Sequence, residues 1–281
     1  GLVNAGTNIA ILTGTLCGGL FILSPLGRHY ISAGVVGVAV AGYAASRFIP
    51  TAEPSSPGLR IDRNLFRSTW EMLVYPFCNR DVFRSIIGIS WFWFLGSVFL
   101  AQFPSFAKDA LGGDEQVSTL FLVLFSVGVG AGATFCNKLL KGRVSGEYLS
   151  CSLIGMSLFI VMLYIFSAAA PAGGELISAL QFIRGPRAAG IVFAMFMIAA
   201  CGGLYSVPMY AMMQRMTPES HMARVIASLN IIDSLGMVAA AMLTALMISA
   251  GVSISGIFLS MAFLNLLMLP LTIKLSRISY D

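Results

Sequence analysis

The chain has 281 residues, of which 57% are hydrophobic and only 10% charged, with a net charge of +5. Soluble domains carry about 25% charged residues, so the medium for most of this chain is lipid, and the class is an all-α membrane protein. The apolar runs are continuous rather than alternating in ten-residue segments, which excludes a transmembrane β-barrel. The basic residues sit at the ends of apolar runs, so the positive balance reflects membrane topology and not nucleic-acid binding.

Eight apolar stretches of bilayer-spanning length follow one another, at about 2–24, 30–49, 82–104, 116–137, 148–170, 188–212, 222–248 and 252–273. The first carries Asn4, Asn8 and Thr15 at helical spacing, a candidate polar stripe, and small residues at Gly14 and Gly18 that permit close helix packing. The second is rich in Gly and Ala and ends at Arg47.

Residues 50–81 form the longest stretch outside the apolar runs. They open on the breaker cluster PTAEPSSPG. Leu65, Phe66, Thr69, Trp70, Leu73, Val74 and Phe77 then recur at helical spacing, with Arg63, Arg67 and Glu71 mostly opposite. This predicts an amphipathic helix resting on the membrane surface as a connector between two half-bundles.

The third span contains the aromatic cluster Trp91 to Phe94, with Gln102 near its far end before Pro104. The fourth contains Gly128, Gly130 and Gly132 and runs into a tight basic loop with Lys138, Lys141 and Arg143. A Gly/Pro-bearing loop over 171–187 precedes the sixth span, and the polar turn from Gln214 to Arg224 precedes the seventh. The seventh span carries Asn230 and Asp233 one turn apart, and no further charge follows until Lys274. A carboxylate in hydrocarbon is costly, so Asp233 is expected to face other helices or a wet cavity.

Alternating the spans across a bilayer places thirteen of the 17 Lys and Arg residues on the side of the 50–81 connector and four on the other. The richer side is expected to be cytoplasmic, with both termini there. The five cysteines show no metal or redox spacing and read as reduced packing residues. The chain begins at Gly1 and not Met, with no basic n-region before the first apolar run, and so reads as one whose natural start is missing.

Two spans, an amphipathic connector and six spans resemble the major facilitator superfamily from helix five to helix twelve. The stretches GLVNAGTNIAILTGTLCGG, RSIIGISWFWFLGSVFLAQFPSFAKDALGG, GGLYSVPMYAMMQRM and VIASLNIIDSLGM resemble, within it, the lysophospholipid transporter family. They also resemble the transporter domain of acyl-acyl-carrier-protein synthetase/phospholipid acyltransferase fusions. The resemblance divides the chain into 1–49, the last two helices of an N-terminal half-bundle; 50–81, the linker; and 82–281, a C-terminal half-bundle. It implies alternating-access movement of lysophospholipid, lysophosphatidylethanolamine above all, across a bacterial inner membrane. The partners it implies are membrane lipids and an acyltransferase that re-acylates the cargo. Gln102 stands where a basic residue is expected, and an acidic residue of the family's first helix falls in the four helices the chain lacks. A chain without those four helices is expected not to transport alone.

The candidate substrate-binding residues are Asp233 and Asn230, then Gln102, Gln214 and Asn8. Lys138, Arg143 and Arg224 are candidates for gating or for anchoring in anionic headgroups. Asn265, like Asn8, suits a bond between helices. Neither His29 nor His221 has an Asp five positions on, and no G-x4-G-K-[ST] loop is present, so no enzyme, cofactor or metal centre is expected. Two other readings remain open: a proton-coupled transporter of a small amphiphile or drug, and a membrane anchor for a fused acyltransferase.

Overall fold

The computed structural model describes residues 10, 13, 14, 17, 18, 21, 25–50, 64–167, 176–277, 279 and 280. The chain divides into two compact units, Gly1–Ile61 and Asp62–Asp281.

In the first unit, α1 spans Gly27–Ser46. It is long and apolar enough to cross a bilayer, and Val35, Val38 and Tyr43 along it are exposed. The expected first span, 2–24, lies almost wholly outside the described residues, and so does Asn8.

The second unit begins with α2, Leu65–Cys78, capped by the Asn64 side chain, which accepts from the Arg67 backbone N–H at 3.2 Å. A helix therefore stands over the stretch where the sequence predicts one. Trp70, Val74 and Phe77 form an exposed stripe on it, while the Met72 carbonyl accepts from Ser228 Oγ at 2.7 Å and Tyr75 stacks on His221 at 4.2 Å. One residue, Asn79, separates α2 from α3, Arg80–Ser105. Pro104 does not end α3; the helix widens into a π turn over Phe106–Ala110.

Four further long apolar helices, one short helix and one bent pair complete the unit as described. They are α4, Glu115–Leu140, α5, Leu149–Ser167, and, after a short capped helix α6, Ala179–Arg184, the 29-residue α7, Ala188–Met216. Then come α8, Glu219–Ser249, and the pair α9, Ile254–Leu266, and α10, Leu269–Leu275. Among the described residues six helices meet the length and hydropathy of a span, or seven if the bent pair counts as one.

That pair corrects the expectation of one continuous helix over 252–273: α9 and α10 meet at 42°. Pro270 has no N–H to give the preceding turn, and its ring disfavours helical geometry at Leu269, so the ladder breaks just before it. The loop expected over 171–187 contains α6, held by a Ser178/Gln181 capping box. A two-stranded ladder that the sequence did not announce pairs β1, Val144–Ser145, with β2, Ser279–Tyr280.

The core forms around α7, which packs along α4, α5 and α3; α8 packs along α3 and α2. Glycines set the α4–α7 seam. A Cβ on Gly132 would overlap the Ala200 carbonyl, one on Gly203 the Val129 carbonyl, and one on Gly128 would come within 2.7 Å of the Phe196 carbonyl. Backbones in direct contact gain dispersion and demand small residues, as in membrane helix pairs generally. Gly130, one position off the seam, faces open space. The outer faces carry exposed Phe135, Leu158, Phe193 and Phe263, apolar surface that fits a lipid medium.

Candidate functional site

The first half of α8 meets α3 at a polar seam. Gly236 lies against the Ser90 carbonyl, where an added Cβ would sit in ordinary contact at 3.8 Å. One turn before it, Asp233 Oδ1 accepts a hydrogen bond from Ser90 Oγ at 2.5 Å. Asp233 is half-buried, Ser90 is buried, and among the described residues no cation pairs with the carboxylate. The acid thus turns toward a neighbouring helix.

Behind Ser90, the aromatic cluster supplies the wall. Trp93 Nε1 donates to the Tyr210 hydroxyl on α7 at 2.8 Å, which ties α3 to α7. Tyr210 lies within electrostatic range of Asp233. Trp91 turns the other way: it stacks on Phe94 at 5.0 Å and donates to Asn265 Oδ1 at 2.8 Å. Asn265 also donates to the Leu153 carbonyl and to Ser157 Oγ, at 2.8 and 3.0 Å. Asn265 is fully buried and joins α3, α5 and α9, the bonding role its sequence context implied.

Asn230 sits one turn before Asp233 and is exposed. Its carbonyl accepts from Ser234 Oγ at 2.7 Å. The seam therefore offers a carboxylate with free lone pairs, an amide one turn away, and a phenol–indole pair beside them. Such a set accepts protons or N–H donors and can solvate a cationic group at its aromatic edge.

The other sequence candidates are not gathered here. Gln102 lies twelve residues beyond Ser90 on α3, or ~18 Å along the helix axis. Gln214 is exposed one turn past Tyr210, at the end of α7. Lys138, Arg143 and Arg224 are exposed at the basic end of the unit, and Arg143 lines a separate cavity with Lys141. The sequence does not mark Ser90 or Tyr210 as site residues, and it marks Trp93 only within the aromatic cluster Trp91 to Phe94. For Ser90 the available signal was a small hydroxyl beside an aromatic cluster, in a span with no other reason for it. Comparison of the chain with protein-family models, with curated proteins and with solved structures finds no match.

Proposed function

We propose that this chain belongs to a secondary transporter of the major facilitator type, akin to the lysophospholipid transporters, and that Asp233 is its principal substrate-contacting residue. The cargo is a lysophospholipid of the lysophosphatidylethanolamine kind, moved across a bacterial inner membrane by alternating access, with an acyltransferase downstream of it. The observation that carries this reading is the half-buried Asp233, bonded to Ser90 across the α3–α8 seam with no counter-cation among the described residues. An acid at the centre of a membrane helix costs ~2.5–3.5 kcal/mol on insertion scales, and a single hydroxyl offsets only part of that. A residue kept at that cost in a packed seam has a task, and an ammonium headgroup supplies the missing positive charge. The order of spans around the surface helix α2, together with the small-residue seams, supports the fold assignment.

The same lone carboxylate supports a second reading, in which it carries a coupling proton for a small amphiphile. A flipping assay in proteoliposomes separates the two. With labelled lysophosphatidylethanolamine, Asp233→Ala in the protein that carries this chain is expected to lower the initial rate at least tenfold. Asp233→Asn keeps the shape and is expected to be equally slow. Wild-type rates in both variants remove Asp233 from the site; transport driven by a pH gradient but indifferent to lysolipid selects the amphiphile.

A further inference from the structure

The turn after α4 borders an open hollow of about 190 Å³ lined by Leu139, Leu140, Lys141, Arg143, Ser145 and Glu147. One water needs only ~10–15 Å³ of such space, so the cavity is large enough for a multi-atom polar group. Lys141 and Gly142 both adopt left-handed backbone conformations, with φ of 50° and 81°, and turn the chain back so that Lys141 and Arg143 border one hollow. The β1–β2 ladder holds Ser145, one of the lining residues, by pairing it with Ser279. Gly146 lies so close to the Leu275 carbonyl that any side chain there would displace it, which keeps the end of α10 against the turn.

The charge of this end is one-sided. Lys138, Lys274 and Arg277 are exposed near the two cavity cations, and none of the five makes an ion pair among the described residues. Glu147 is the one acid in the lining. The carbonyl end of α4 attracts a cation through its dipole, which accounts for one of these residues and not for five. Ser145 Oγ accepts from the Glu147 backbone N–H at 3.3 Å, so its own O–H remains to donate.

We infer that the cavity behind Lys141, Arg143 and Ser145 binds a phosphate group, the chemistry shared by an anionic phospholipid headgroup and free phosphate. The two cations supply the charge, Ser145 a neutral donor, and Glu147 sets an upper bound on the net negative charge accepted. This site is independent of Asp233 and of any cargo.

The test is native mass spectrometry of the full chain released from detergent and titrated with phosphatidylglycerol, phosphatidylcholine or inorganic phosphate. Phosphatidylglycerol is expected to be retained over phosphatidylcholine. The double variant Lys141→Gln/Arg143→Gln is expected to lose roughly ten- to thirtyfold in affinity, given the attraction of a surface cation for anionic lipid. Lys108→Gln/Arg184→Gln removes the same charge near the opposite helix ends and is expected to bind as wild type. Glu147→Gln is expected to bind severalfold tighter. Inorganic phosphate competing at equal potency assigns the site to free phosphate, and its failure to compete assigns it to the lipid headgroup; either result supports the inference. Equal binding by the double variant and wild type, or an equal loss in the Lys108/Arg184 control, overturns it. Should the double variant not fold, an unchanged affinity in Glu147→Gln overturns it as well.

Discussion

Asp233 and Asn265 both bond to α3 from neighbouring helices, and they differ in how fully they are satisfied. Asn265 uses its carbonyl for Trp91 and its amide for Leu153 and Ser157, so its bonding is nearly complete and it serves as a bolt. Asp233 holds one hydroxyl and keeps lone pairs to spare. Hydrogen bonds between membrane helices are worth ~0.6 kcal/mol on average, so Asn265→Ala is expected to lower stability by about 2 kcal/mol in a detergent unfolding titration. Asn230→Ala, on the exposed face, is expected to leave the midpoint unchanged. The sequence exposed both polar residues because each interrupts an apolar run. It did not expose Ser90, Trp93 or Tyr210, since a serine and two aromatics are ordinary in a membrane helix and only their placement across three helices makes them a wall.

At the scale of the elements, composition located the spans and local chemistry ended them. Hydropathy alone runs unbroken through Leu266 to Leu269, and Pro270 was the sign of the break. The pairing of β1 with β2 joins residues more than a hundred positions apart, and two-residue strands carry no period to detect. The GVGAG stretch of α4 announced close packing without saying which glycine made it. The structure assigns it to Gly128 and Gly132, facing Phe196 to Ala200 of α7, and leaves Gly130 outside. Gly203→Ala, which drives a methyl into the Val129 carbonyl, is expected to cost ~1–3 kcal/mol. Gly130→Ala, with open space around it, is expected to be neutral or slightly stabilising in the same unfolding measurement.

For the whole molecule, the alternating helices of the second unit bring the turns near 140 and 218 and the C-terminal segment to one end, and the ladder between β1 and β2 binds two of these together. That end holds most of the cations of the unit, so by the excess of Lys and Arg on cytoplasmic loops it is expected to be the cytoplasmic one. In intact cells, a membrane-impermeant maleimide is expected to label Lys108→Cys and to spare Lys141→Cys until the membrane is opened; the inverse pattern reverses the orientation. The paired backbones of α4 and α7 have a further implication. With glycine removing the spacer from both sides of their contact, the two helices act as a single beam and cannot slide without colliding main chains. α8 sets only five side chains in the interior along its 31 residues, and it reaches that beam chiefly through α3. If this protein changes shape to pass its cargo, the pivot lies between the beam and α8, and the Ser90–Asp233 bond is the latch that must open there.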